Sequence, residues 1–374
     1  MKDRLLHLDA LRGFSLLGIL LANMLYFQYG DVMETSINPT TWWDTVAFYV
    51  TKIAIEGSFY PIFGFLFGYS IILFLQSLER KDLHTRGPLL RRAIGLIIIG
   101  LLHMHFVWDG DILTSYGTAL LIFMLFLKRQ AKTLIRWGIA LLTIAILATG
   151  FITSIMESLD EELEAAREVF ANGTYLEVVQ HRTFDVLDGS FISVIILLII
   201  FAFVYGIIAF FAIGPFILFG LAAGKIGFLT DIQTKQSLLK KLVWLVPLGL
   251  AFKSALVIDH YVAQLIYATG TYVLAVGYMA LFLTILEQPA MINWKARFAN
   301  VGKLSMTNYL MQSIVWTTIY YGYGFGLFGK LGVALAMVLG IMFFALQIAF
   351  SKLYLQRFTI GPFESLLRKF VYLR

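Results

Sequence analysis

The stretch from His103 to Asp111, HMHFVWDGD, brings two histidines and two carboxylates within nine residues. His103 and His105 are two apart, so on a helix they point in different directions and share a site only where the helix ends. Asp109 and Asp111 follow in a turn that contains Gly110. A histidine held by a carboxylate is a base with its orienter, the arrangement that removes a proton from a hydroxyl or amine. The same side chains are metal ligands by type, but the familiar zinc spacing is missing and no metal is expected. Asp109 fits ordinary loop polarity best. His103 and Asp111 are the catalytic candidates.

A second set lies in the first apolar run, LDALRGFSLLGILLANM. Asp9 and Arg12 are three apart, on one face of a helix. The plain reading is a helix-capping Asp9 with a snorkelling Arg12. The functional reading is that the forked guanidinium of Arg12 binds phosphate, with Arg91 and Arg92 as further phosphate ligands. Asn23 lies eleven residues beyond Arg12, about 16 Å along the axis. It is either an interhelical hydrogen bond or a site residue, since polar groups inside a membrane are functional candidates by default.

Elsewhere, Glu56 and Ser58 flank Gly57 next to Lys52, which is placed to neutralise the acid. Gly64 and Gly68 form a small-residue face suited to close helix packing. Asn308 and Gln312 are four apart in GKLSMTNYLMQS, so they share a face that has to point at protein or a cavity. Asn23, His103, Asp111, Asn308 and Gln312 are expected to meet in one interior cavity. Gly324, Gly326 and Gly329 match GxGxxG formally, but no strand precedes them, so a dinucleotide site is rejected.

The elements that must position these residues are membrane helices. Of 374 residues 59% are hydrophobic and 14% charged, against about 25% charged in a soluble domain. Apolar runs of membrane length, roughly 20 residues, recur throughout. The expectation is an all-α polytopic membrane protein, a single domain over 1–374 with about ten to eleven transmembrane helices. The spans are 10–29, 58–78, 89–107, 111–127, 133–155, 190–222, 239–257, 262–286, 304–321 and 331–350, with 42–57 as an additional apolar helix. No cysteine is present, which excludes disulfides and thiolate nucleophiles. No internal repeat of the kind many transporters carry is visible.

The net charge is +6. With Lys2, Arg4 and Arg12 inside, 24 of the 29 basic residues fall on the cytoplasmic side, as the positive-inside rule requires. Both termini are then cytoplasmic, with 351–374 as a cytoplasmic tail. Basic loops of this kind do not point to nucleic acid. Residues 156–189 form an acidic extracytoplasmic loop, in which Leu159, Leu163, Ala166 and Phe170 repeat at the spacing of an amphipathic surface helix.

Four segments carry a resemblance. LDALRGFSLLGILLANM, GLLHMHFVWDGDIL, GKLSMTNYLMQS with the following YGYGFGLFGKLG, and RFTIGPFESLLR resemble the YeiB-like family of bacterial membrane proteins, in order over essentially the whole chain. That family is often labelled a possible transporter. The first helix is also similar to that of the transmembrane acyltransferase superfamily, which includes bacterial O-acyltransferases and heparan-α-glucosaminide N-acetyltransferase. Those proteins carry an Arg-Gly and, eleven residues after the Arg, a polar residue: typically His in the bacterial enzymes, Asn in the lysosomal type. Asn23 holds that place. Asparagine is not a base, so the base has to come from elsewhere, and His103 is the candidate.

The resemblance implies an acyltransferase of the bacterial inner membrane. Cytoplasmic acyl-CoA, such as acetyl-CoA, would donate to an unknown extracytoplasmic acceptor. Arg12, Arg91 and Arg92 would hold the donor, with Asn308 and Gln312 as further binding residues. The partners expected are membrane lipids, the donor and the acceptor, with a homodimer allowed. A small-molecule permease and a non-catalytic lipid- or quinone-binding protein are the competing expectations.

Overall fold

The computed structural model describes residues 2–30, 37, 39, 41–157, 160–183, 200, 203–204, 206–208, 210–258 and 260–373. Among them the chain is helical and without strands. In lipid a backbone has to satisfy its own N–H and C=O groups, and helices do this within one segment. Among the described residues six stretches are long and apolar enough to cross a membrane: Leu6–Tyr29, Trp42–Glu79, Arg86–Phe106, Ala131–Thr149, Tyr261–Leu286 and Val333–Arg357. They support a multi-pass membrane protein. Six is fewer than the ten to eleven read from the sequence, and the differences have local causes.

The first helix, α1, runs over Lys2–Tyr29. It begins before Asp9, which therefore sits in the helix interior and is not its cap. Next, α2 (Trp42–Val50) widens into a π turn over Thr51–Ile55. A break at Gly57, whose φ is +73°, leads into α3 (Tyr60–Glu79). Pro61 lies in the first turn of α3, where its missing N–H costs no helical hydrogen bond. Residues 42–57 and 58–78 are thus one apolar stretch with an internal break. The next helices are α4 (Arg86–Phe106) and α5 (Leu113–Phe123). With its trailing 3₁₀ turn α5 ends at Phe126, short of a full span.

Then come α6 (Ala131–Glu157), α7 (Asp160–Asn172) and α8 (Tyr175–Thr183). The expected amphipathic helix of the acidic loop corresponds to α7. Residues 158–159 and 184–189 of that loop, and 190–199 of the sixth expected span, lie outside the described residues. From that span α9 (Gly214–Lys225) is described. The expected span 239–257 is broken into α10 (Gln236–Leu242) and α11 (Leu245–Lys253), followed by a 3₁₀ turn. Pro247 accounts for the restart: its ring would strike the carbonyl four residues back, so it is accommodated only in a first helical turn.

The remaining helices are α12 (Tyr261–Leu286), α13 (Ile292–Lys303), α14 (Ser305–Tyr320), α15 (Val333–Arg357) and α16 (Pro362–Tyr372). With 16 residues, α14 falls short of a span by itself. The expected tail 351–374 starts inside α15 and ends in a docked helix.

Two glycine contacts set the packing. A Cβ on Gly13 would run into the carbonyl of Phe298, and one on Gly302 into that of Asp9, so α1 and α13 cross backbone to backbone. Gly68 and Gly220 do the same for α3 and α9, against Ile217 and Phe65. Gly64 lies on that same face, against Ile213. Missing side chains let helices approach closely enough for dispersion contacts to hold them where lipid offers no hydrophobic drive. Two apolar clusters fill the interior. One includes Phe27, Trp108, Tyr309 and Tyr320. The other gathers Leu11, Ile62, Leu66, Phe216 and Leu283.

Candidate functional site

His103 occupies the last turn of α4, and the helix continues past it to Phe106. Gly100, one turn earlier, has no room for a Cβ against Asp111 and Thr114. Its lack of a side chain lets the start of α5 close onto α4. His103 Nδ1 lies 3.0 Å from Asp111 Oδ1, with both side chains buried. The other carboxylate oxygen accepts the N–H of Thr114 at 2.7 Å, at the start of α5. Tyr309 pins the intervening turn: its O–H donates to the carbonyl of Gly110 at 3.0 Å, and its oxygen accepts the Ile112 N–H at 3.2 Å. With Nδ1 donating to Asp111, Nε2 carries the lone pair. That atom is buried and has no hydrogen-bond partner. His105 points elsewhere, as the two-residue spacing requires, and meets the carbonyl of Arg182 at 3.2 Å.

Asp111 forms part of the wall of a cavity of about 310 Å³. The turn residues Trp108, Asp109 and Gly110 continue the wall, and Tyr321 and α1 complete it. The contribution of α1 is Asn23 and Tyr26, three apart on one face, joined by Gly30 just past its end. The Asn23 side chain is half-buried and makes no hydrogen bond to described residues. Trp108 packs against Phe27, ring centres 4.2 Å apart and planes tilted by 40°. His103 lies behind Asp111. Beside the cavity the buried guanidinium of Arg182 lies over the rings of Phe170 and Tyr321, donates to the Val107 carbonyl, and is 3.6 Å from Asp109.

Tyr26 extends the site. Its O–H donates to Glu56 Oε1 at 2.7 Å, and Lys52 Nζ is 2.7 Å from Glu56 Oε2. Lys253, fully buried, donates to the Glu56 carbonyl and lies over the ring of Tyr267. Two ammonium groups and one carboxylate therefore gather at the break between α2 and α3.

At the other end of α1, Arg12 donates to Asp9 at 3.0 Å and to Ser70 Oγ at 2.7 Å. Arg92 lies over the ring of Phe74 and close enough to Arg12 for the two charges to repel. Such a pair of guanidinium groups suits an anion. Arg91 is committed elsewhere, donating to the carbonyl of Val371 at 2.7 Å.

Asn308 and Gln312 do not reach the cavity wall. Asn308 donates to the Val301 carbonyl at 3.1 Å and to Ser351 Oγ at 3.0 Å. Gln312 donates to Gln347 Oε1 at 2.9 Å, and Gln347 returns a bond to the Asn308 carbonyl at 2.9 Å. Shared facing on α14 is as expected, but that face turns to α15, because a second amide there answers it. Asn23 and Asp111 meet in the cavity, His103 stands behind them, and Arg12 with Arg92 forms a separate cluster.

Sequence reasoning missed Tyr26, Arg182, Tyr321 and Gln347. Tyr26 had a signal, being three residues beyond Asn23 on the same face. So had Gln347, a lone amide in an apolar run. Arg182 and Tyr321 are assembled by tertiary contacts between segments remote in sequence.

Residues 223–374 match a family described as "Protein of unknown function (DUF418)". The whole chain is similar to the uncharacterized protein YxaH of Bacillus subtilis (strain 168), 28% identical over 386 residues, covering 100% of this chain and 95% of that protein. It is similar to the uncharacterized protein YeiB of Escherichia coli (strain K12), 26% identical over 394 residues, covering 98% and 96%. An uncharacterized 39.9 kDa protein of Bacillus acidopullulyticus is 25% identical over 376 residues, covering 100% and 95%. These similarities support a YeiB-like family.

Proposed function

We propose that this chain is a transmembrane acyltransferase of the bacterial inner membrane. It moves an acyl group from cytoplasmic acyl-CoA to a hydroxyl or amine acceptor on the outer side. The observation that carries the reading is the His103–Asp111 pair: Nδ1 is held by buried Asp111, Nε2 has no hydrogen-bond partner, and Asp111 itself lines the cavity that Asn23 lines. The superfamily resemblance of the first helix adds the reaction class. In this reading both termini are cytoplasmic, the α1 end at Arg12 faces the donor, and the cavity faces outward.

The acceptor oxygen or nitrogen attacks the thioester carbonyl and gives its proton to His103 Nε2. The C–S bond breaks, and the CoA thiolate leaves with that proton. Asp111 steadies the imidazolium, and the Asn23 amide N–H donates to the carbonyl oxygen as charge develops. Because Asp111 forms the wall and His103 lies behind it, the pair has to turn together toward the cavity for Nε2 to reach the acceptor, with the bond between Nδ1 and Asp111 kept. Arg12 and Arg92 hold the donor phosphates, and positioning supplies much of the remaining rate.

The test is transfer of labelled acetyl from acetyl-CoA to an acceptor pool in proteoliposomes. Activity should require His103 and Asp111, and Arg12→Ala should weaken acetyl-CoA binding by roughly 1.5–3 kcal/mol, while Lys240→Ala on the exposed face of α10 should not. No transfer and no binding at millimolar CoA would sink the proposal. Sidedness is tested separately by single-cysteine labelling, with Leu176→Cys reacting in intact cells.

A permease is favoured by one observation, the Lys52–Glu56–Lys253 cluster joined to the cavity through Tyr26. Ionisable groups inside apolar helices mark substrate and ion paths. Substrate-driven flux without acyl transfer would establish that reading.

A further inference from the structure

The C-terminal helix α16 bears apolar residues at Phe363, Leu366, Leu367, Phe370 and Val371, the stripe of an amphipathic helix. Part of that stripe is docked. Leu367 and Phe370 lie over Gly95 of α4, and Arg91 holds the Val371 carbonyl. The rest is left open: Leu366 is 56% exposed and Phe358, just past the end of α15, is 53% exposed, with Leu353 on the last turns of α15 at 62%. A partly docked helix with an uncovered apolar edge is the form of an interfacial membrane helix.

Between the end of α15 and the start of α16 lies a cavity of about 510 Å³. Tyr354, Arg357, Phe358, Ser365, Leu366 and Lys369 contribute to its lining. Two cations line it and no acid does. Neither Arg357 nor Lys369 has an ion pair among the described residues. The one acid in the first turn of α16, Glu364, is turned away: it accepts the N–H groups of Met306 and Thr307 at 2.8 and 3.1 Å and the Thr307 hydroxyl at 2.5 Å. Its carboxylate lies between Gly361 and the start of α14, so its charge is spent on the two helix ends, and the cations of the cavity are left without it.

We propose that this cavity binds the headgroup phosphate of an acidic phospholipid, with Arg357 and Lys369 as its ligands and the acyl chains lying along Leu353, Phe358 and Leu366. The charge excess fits an anion, and the continuous apolar edge fits its tails. Basic pockets between membrane helices bind anionic lipids in this way, and Arg pairs with phosphate through two parallel hydrogen bonds. The inference rests on the multi-pass membrane reading and is independent of acyl transfer and of orientation.

Native mass spectrometry of the full-length chain in detergent, with phosphatidylglycerol and phosphatidylcholine of identical chains, tests it. Phosphatidylglycerol should be retained at least fivefold more. The double variant Arg357→Gln/Lys369→Gln should bring it down to the phosphatidylcholine level, and Lys240→Gln should leave it unchanged. Equal retention of the two lipids overturns the proposal, as does a double variant that keeps the preference. Displacement by glycerol phosphate at the lipid's own concentration also overturns it, since the occupant is then a soluble phosphate ester. If the double variant lowers the melting temperature, Lys369→Glu alone, on an exposed position, decides by the same readout.

Discussion

Two polar clusters are buried in apolar helices, and they differ in what they leave over. Between α4 and α5, His103 and Asp111 form one bond to each other, with Nε2 unspent and Asp111 at the wall of a cavity. Between α14 and α15, amides and a hydroxyl of Asn308, Gln312, Gln347 and Ser351 bond mainly to one another. The first pairs an imidazole with a carboxylate, and the second holds only amides and a hydroxyl. Polarity inside apolar helices therefore has two uses, and an acid–base pair at the edge of open space separates them. Substitutions at the two sites should accordingly fail in different assays.

The largest contrast is in activity. His103→Gln should lower acyl transfer by roughly 10²–10⁴-fold, with little change in melting temperature, because the amide can still donate to Asp111. Asn308→Ala should leave the rate per folded molecule unchanged. Equal losses at the two positions would erase the distinction. Next comes Asp111→Ala. It strips a buried histidine of its partner and removes an acceptor from the start of α5, for a stability loss of roughly 3–5 kcal/mol, measured by unfolding in detergent. Asp111→Asn, which keeps an acceptor, should lose activity but much less stability.

Much of this was legible in the sequence. The His103–Asp111 pair could be read because both members lie within one short motif, where a single turn brings them together. Lys52 and Glu56 were legible for the same reason, and they meet at 2.7 Å. Misplacement came where distance in sequence mattered. Asn308 and Gln312 were correctly put on one face, but its neighbour is set by Gln347 and Ser351, some forty residues on. Helix existence was clear from hydropathy. Span number was not, because Pro247 breaks a run that composition shows as continuous, while 42–57 and 58–78, read as separate, join in one stretch through a π turn and the Gly57 break.

A third cluster tests whether charge alone makes a site. His7, Glu287 and Lys295 join α1, the end of α12 and α13, with Glu287 Oε1 2.5 Å from His7 Nε2 and 2.8 Å from Lys295 Nζ. Burial pushes the Glu287 carboxyl up, but hydrogen bonds from Lys295 and His7, together with their charges, outweigh it and hold the group below its ordinary 4.5. A carboxyl depressed in the folded state binds fewer protons there than when unfolded. Its stabilisation is therefore complete above the unfolded value and is lost as pH falls through the folded one. Melting temperature should drop in that acid window, and Glu287→Gln should flatten the drop. An unchanged acid limb in the variant would show that the cluster contributes nothing through Glu287.

The smallest effect belongs to the amide ladder. Asn308→Ala removes a donor to Val301 and Ser351 but also deletes a carbonyl oxygen that has no partner. Interhelical hydrogen bonds in membranes average about 0.6 kcal/mol, so the loss should be near that. Gln347→Leu should cost more, because it strands the Gln312 amide and the second bond to the Asn308 carbonyl. Adding Gln312→Leu to it should recover part of the loss, since the stranded amide, whose oxygen is already unpaired, is gone. Replacing both partners of a buried bond with apolar groups of similar shape is nearly neutral. The double variant should thus be more stable than Gln347→Leu alone and should transfer acyl groups at the parental rate. A double variant less stable than the single would mean that Gln312 is held by something other than Gln347. Loss of transfer in a folded double variant would put the ladder in the same functional class as His103 and remove the distinction between the two clusters.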